Sequence, residues 1–267
     1  MIFETHAHYE DDCYEDDGWA VIEKARNVGV KRFVNVGSTV MSSQESIEIA
    51  HKHDDFYATV GVHPEYGHQL TDAAVNQLRE MCKDEKVIAV GEIGFDYYWD
   101  SCPEDVQEDV FRRQLAIAKE FNLPVIIHSR DAGEDTYKII KEYVESCEKD
   151  GVDARGIVHC YGYSPELAEQ FIKLGFYIGV GGVVTFKNAR KLVDTVTKIG
   201  LDHIIVETDC PYMSPEPKRG TRNESSNLVH IVNKIAEILN VPVEEVEEKT
   251  FVNACRVFKL DEAQERD

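Results

Sequence analysis

Apolar and β-branched residues gather along the chain into short runs separated by longer segments of helical period, and the runs return about every 30 residues. Eight of them predict strands at 1–6 (MIFETH), 32–37 (RFVNVG), 56–61 (FYATVG), 86–91 (KVIAVG), 124–128 (PVIIH), 156–160 (GIVHC), 176–180 (FYIGV) and 203–208 (HIIVET). Most are almost continuously apolar, as strands must be when helices cover one face and a packed interior the other. Between them lie helix signals. Ser42-x-x-Glu45 and Ser101-x-x-Glu104 read as capping boxes, Pro103 and Pro165 stand where a first helical residue tolerates proline, and Gly175 follows a helical run. Residues 225–239 predict the last crossover helix and 243–258 a further amphipathic one.

Alternating strands and helices from end to end predict an α/β protein with a parallel sheet, and eight repeats predict a TIM-type (β/α)₈ barrel. The 267 residues, 43% hydrophobic, suit one such domain over 1–267. A doubly wound sheet would place a glycine-rich phosphate turn after its first strand; here that turn is His-Ala-His.

Composition narrows the setting. No apolar run reaches the roughly 18 residues of a membrane span, and MIFETHAHYE carries acids where a secretory signal needs bases, so a cytoplasmic protein without membrane contact is expected. The seven cysteines are scattered without a C-x-x-C, which suits a reducing compartment. A formal charge of -21 repels polyanions at long range, although bound cations reverse the field locally. A monomer is expected.

The chemistry lies at strand ends. His6 and His8, two apart in extended chain, point to one side. Glu92 follows the fourth predicted strand, His128 ends the fifth, His159 lies at the end of the sixth, and Asp209 follows the eighth. In a closed barrel these ends converge on one mouth. Four imidazoles and two carboxylates exceed the needs of one four-coordinate ion and predict two divalent ions (Mg, Mn, Zn or Co), with Glu92 the better bridge. Such a pair activates water for hydrolysis, with Asp209 orienting or deprotonating it.

Further mouth-side residues are candidate substrate groups: His63, which is also a catalytic candidate for assisting the leaving group, Tyr161, and Arg130 and Arg222 as phosphate clamps, with an ion pair to a neighbouring acid the alternative for Arg130. Asp96-Tyr97-Tyr98-Trp99 is either a base-stacking wall or a set of packed aromatics. Cys160 and Cys210 flank ligand positions without a histidine free to activate them, and the acidic run from Asp11 to Asp17 lacks the glycine-centred spacing of a calcium loop.

Over nearly its whole length the chain resembles the TatD-type metal-dependent deoxyribonucleases of the amidohydrolase superfamily. The resemblance rests on Thr5-His6-Ala7-His8, Gly61-Val62-His63-Pro64, Gly91-Glu92-Ile93-Gly94-Phe95-Asp96-Tyr97, His128-Ser129-Arg130-Asp131-Ala132, His159-Cys160-Tyr161, Glu207-Thr208-Asp209-Cys210-Pro211-Tyr212, Arg222-Asn223 and Asn253-Ala254. It implies the same barrel, two ions at His6, His8, Glu92, His128, His159 and Asp209, and hydrolysis of DNA phosphodiesters. The chain departs from the family pattern at Glu4 and Glu10, where shorter side chains are usual, and at Ser225, where proline is common. The extra methylene of Glu4 is expected to bear on a hydrogen bond behind a ligating histidine. Two other readings use the same residues: hydrolysis of a small-molecule or aminoacyl ester or amide, and a metal-binding scaffold without turnover.

Overall fold

The computed structural model describes residues 1–262. Eight parallel strands follow one another in sequence order around the sheet: β1 (Ile2–Ala7), β2 (Val30–Val36), β3 (Phe56–Val60), β4 (Val87–Asp96), β5 (Val125–Arg130), β6 (Gly156–Val158), β7 (Phe176–Val180) and β8 (Ile204–Val206). The crossover helices are α1 (Gly18–Asn27), α2 (Val40–His51), α3 (Asp72–Met81), α4 (Glu104–Phe121), α5 (Gly133–Asp150), α6 (Pro165–Lys173), α7 (Arg190–Ile199) and α8 (Leu228–Leu239), with α9 (Val243–Phe258) last. The ring closes between β1 and β8: Asp209 N–H donates to His6 O at 2.9 Å, His8 N–H to Cys210 O at 2.8 Å and Thr5 Oγ1 to Val206 O at 3.0 Å. This is the predicted (β/α)₈ barrel.

The core has two parts because each strand has two faces. Residues such as Val125, Ile127, Val158 and Ile204 join the large cluster beneath the helices. Their neighbours Ile126, Ile157 and Ile205 turn the other way, meeting Phe3, Val34, Val36 and Ile88 in a smaller cluster inside the barrel. Phe251, Ala254, Cys255, Val257 and Phe258 of α9 belong to that inner cluster, so α9 plugs the end away from the catalytic-type residues. Arg155 fastens the plug: its guanidinium donates to Val257 O at 3.0 Å and to Asn122 O at 3.0 Å.

Helix starts depart from expectation. Thr39, not Ser42, is the N-cap of α2; Ser42 is the N3 partner, and each side chain accepts from the other residue's backbone N–H. No side-chain cap forms at Ser101, and Pro103 is itself the N-cap of α4, which relies on Glu104 and Asp105 in its first turn. Pro165 takes the first helical position after the Ser164 cap, as expected. All seven cysteines are free thiols. Among the described residues no helix is long and apolar enough to cross a membrane.

Candidate metal centre

Strand parity carries the inner face of the barrel into its mouth. Counting two from Ile126 gives His128, two from Ile157 gives His159, and four from Ile205 gives Asp209, while β1 contributes His6 and, just past its end, His8. Regular strand stops at Val158 and Val206, and left-handed backbone follows at Cys160 (φ 44°) and Asp209 (φ 57°). Glu92 lies within β4 and is buried.

These side chains form two donor groups joined by one carboxylate. His6 Nε2 and His8 Nε2 are 3.2 Å apart. Asp209 Oδ1 lies 3.7 and 3.5 Å from them, and Glu92 Oε2 lies 3.5 and 4.0 Å away. Ligands arranged tetrahedrally at ordinary zinc–nitrogen distances stand roughly 3.4 Å apart, so the spacing suits a shared cation. The other oxygen, Glu92 Oε1, is 2.7 Å from His128 Nδ1, 2.6 Å from His159 Nε2 and 3.8 Å from His63 Nε2. The rings of His6 and His159 stack at 4.0 Å, which brings the two groups into contact.

The surrounding hydrogen bonds test whether these donors fit metal ions. His8 Nδ1 donates to Val36 O at 2.8 Å, leaving Nε2 with its lone pair toward Asp209 and Glu92. His128 Nε2 donates to Asp96 Oδ2 at 2.9 Å, which leaves Nδ1 facing Glu92. In each ring one nitrogen is tied outward and the other is presented inward, the usual arrangement behind a metal ligand. Buried His6 Nδ1, His159 Nδ1 and Glu207 Oε2 have no hydrogen-bond partner, and an assembly with this many donors unsatisfied or crowded together suits added cations. The residues therefore fit divalent ions. His63 differs: its Nδ1 accepts from Glu65 N–H at 3.2 Å, so the neutral ring carries its proton on Nε2.

Burial opposes every charge here, and neighbours decide the outcome. It would raise Glu92, but the imidazoles of His159, His63 and His128 hold that carboxylate well below its ordinary range. Burial also works against an ionised Asp209, which its hydrogen bond to His8 and the charge of His159 and His6 keep low. For His63, burial and then His128 push the ring down to about 3, so it stays neutral.

The predicted substrate groups part company. His63 and Arg130 stand at the cluster and at the mouth, the latter with its guanidinium 3.9 Å over the ring of Tyr98. Tyr161 is only 2% exposed and its hydroxyl donates to Ser164 O at 2.6 Å, so it packs behind the site instead of facing a substrate. Arg222 is likewise engaged: it forms a two-pronged pair with Asp17 at 2.9 and 2.6 Å and lies over the Tyr14 ring. Glu4 does not reach a histidine ring. Its carboxylate accepts from the backbone N–H of His6 and Thr208 and from Thr208 Oγ1, at 3.2, 2.9 and 2.6 Å, and burial pushes it up to about 7 against those bonds. Glu10 instead takes the place behind His8, 3.4 Å from Nδ1.

Two carboxylates with clear places at the cluster have no role assigned from the sequence: Asp96 behind His128, and Glu207, whose Oε1 is 3.6 Å from His159 Nδ1. Asp96 is visible in the sequence at the head of an aromatic run and within the motif from Gly91 to Tyr97, neither of which gives it a partner. Glu207 carries a signal, since it shares strand parity with Ile205 and Asp209.

Comparison with known proteins agrees with this geometry. The family described as TatD related DNase matches residues 3–259. The uncharacterized metal-dependent hydrolase YabD of Bacillus subtilis is 42% identical over 261 residues, covering 98% of this chain and all of that protein. The 3'-5' ssDNA/RNA exonuclease TatD of a Rahnella species is 32% identical, over 97% of this chain and 98% of its own length. Among solved structures, the TatD homologue YjjV of Escherichia coli superposes with a TM-score of 0.90 at 27% identity, over 97% of this chain and 98% of that one. A barrel whose mouth gathers histidines around a carboxylate thus matches its relatives in sequence and in shape, and the chain belongs to the TatD family of metal-dependent hydrolases.

Proposed function

We propose that this protein hydrolyses phosphodiester bonds of DNA by means of a metal-activated water. The observation that carries the reading is Glu92, whose two oxygens face two separate groups of imidazoles. His6, His8, Asp209 and Glu92 would hold one divalent ion, and Glu92, His128 and His159 a second, drawn from magnesium, manganese, zinc or cobalt. When bound, such ions lower the pKa of water and stabilise charge on phosphate oxygens.

The remaining work falls to the chain's own groups. Asp209, kept ionised by the histidines around it, takes the proton of the attacking water. The Nε2–H of neutral His63 points toward Glu92 Oε1 and donates to a phosphate or leaving oxygen that enters the mouth. Arg130, resting its face on Tyr98, keeps its N–H edges for a phosphate. Tyr161 and Arg222 act from behind, holding the loops after β6 and β8. The exonuclease name carried by the Rahnella relative supports a nucleic-acid substrate.

The test is hydrolysis of single- and double-stranded DNA and of bis-p-nitrophenyl phosphate with magnesium, manganese, cobalt or zinc. Turnover of a diester with any of them is the expected result; none with all four overturns the reading. The charge of -21 favours a second reading, a small ester or amide substrate, which p-nitrophenyl carboxylates and lactones in the same screen would reveal.

A further inference from the structure

Exposed aromatic and unpaired basic side chains lie in loops that follow strands from different sides of the barrel. In the loop after β4, Tyr98 and Trp99 are 54% and 51% exposed, with their rings edge to face at 4.8 Å. Large aromatics left in water carry a cost that burial would remove, so an exposed pair beside a site marks a contact surface. This pair is also fixed to the metal centre. Asp96 Oδ1 accepts from the backbone N–H groups of both Tyr98 and Trp99, at 2.9 and 3.1 Å, while its other oxygen holds His128. Arg130 covers one face of Tyr98 and completes the platform.

The loops after β7 and β8, with the first residue of α7, carry Lys187, Arg190, Lys218 and Arg219, all exposed. Among the described residues none of the four enters an ion pair, although the chain holds 50 acidic residues. The two loops are joined, since Glu216 N–H donates to Thr185 Oγ1 at 2.8 Å and the Arg219 guanidinium lies 4.2 Å over Phe186. In a closed ring of eight strands in sequence order, β4 and β8 stand opposite each other. Lys218 and Arg219 therefore follow the strand opposite the one that carries the aromatic platform, and Lys187 and Arg190 follow the strand beside it.

We propose that Lys187, Arg190, Lys218 and Arg219 and the pair Tyr98 and Trp99 are the specificity-determining residues of this chain, the first set holding phosphates beyond the scissile one and the second stacking unpaired bases. A duplex keeps its bases stacked on each other and offers none to this platform, whereas an unpaired strand offers each in turn. Four local cations also overcome a long-range repulsion that salt screens beyond about 8 Å. The inference rests on the phosphodiesterase reading and extends it to a track longer than one phosphate.

The experiment measures kcat/KM for a single-stranded DNA decamer, the same sequence in RNA, the blunt DNA duplex and base-free bis-p-nitrophenyl phosphate. It uses the full chain, the double variant Tyr98→Ala/Trp99→Ala and the double variant Lys218→Ala/Arg219→Ala. The aromatic variant is expected to lower the ratio of decamer to base-free kcat/KM at least tenfold, chiefly through KM. The basic variant should flatten the dependence of log binding on log salt by about 1.4, near 0.7 for each phosphate deprived of its cation. The aromatic variant should lose as much on the RNA decamer as on the DNA one and little on the duplex, and an equal loss on the duplex overturns the track. An unchanged ratio or an unchanged salt slope overturns the track and leaves the phosphodiesterase reading intact. If no diester is hydrolysed, anisotropy of a labelled decamer on chelator-treated protein still decides: loss of binding in both variants supports the track, and equal binding to all three proteins rejects it.

Discussion

Asp96 shows how much one side chain sets here, because its two oxygens serve different tasks: one orients His128 and the other anchors the loop of Tyr98 and Trp99. Asp96→Asn keeps the shape but can present an amide N–H to His128 where an acceptor is needed. Metal affinity is expected to fall about 10- to 100-fold, measured by titrating chelated protein with manganese in a calorimeter. Asp209→Asn removes the proposed proton acceptor, and kcat for a diester should fall at least about 100-fold with a smaller change in KM. At this scale the sequence reveals side-chain type and direction but not partners. Position at the C-terminal ends of predicted strands locates His128, His159 and Asp209, because in a closed barrel those ends converge on one mouth. Tyr161 and Arg222 escape such reasoning because the groups that occupy them, the Ser164 carbonyl and the Asp17 carboxylate, depend on loop paths that no periodicity encodes.

Among the elements, the β4–β5 pair is the most constrained. Gly94 pairs with His128 at φ 144°, and a Cβ there would lie 2.0 Å from the His128 carbonyl oxygen. Gly94→Ala must therefore either part the strands or shift His128. The expected cost is about 3 kcal/mol, read from the denaturant midpoint, together with weakened metal binding. All eight strands are legible because apolar runs mark a doubly covered sheet. Their ends are less so. β4 runs on to Asp96, well past the predicted Gly91, because polar residues at a barrel mouth still pair with a neighbouring strand. Conversely, β6 and β8 stop at Val158 and Val206 instead of reaching residues 160 and 208. Helix caps are hard to place for a similar reason: Ser, Thr and Pro clusters offer several starts, and packing of the preceding strand selects one.

For the molecule as a whole, the rhythm of strand and helix makes the barrel legible, while its total charge is a poor guide to its mouth. A value of -21 averages over surface acids and hides both the lip of cations and the imidazoles around Glu92. The expectation of a single barrel domain over 1–267 predicts one cooperative unfolding transition, with fluorescence and circular dichroism coinciding. Bound ions should raise its stability by about 2.7 kcal/mol at 100 times the dissociation constant, seen as a higher melting temperature that a chelator reverses. The plug formed by α9 gives a control far from the mouth. Arg155→Ala should lower the melting temperature, by loss of its ties to Val257 and Asn122, while leaving metal affinity in place. The most direct test of the central claim is cleavage of a single-stranded DNA oligonucleotide by metal-stripped protein before and after manganese is restored, beside the Glu92→Gln variant. Cleavage should rise at least about 100-fold with the metal and fall to a small remnant in the variant. Equal cleavage with and without metal, or full activity in Glu92→Gln, would contradict a hydrolase built on that bridging carboxylate.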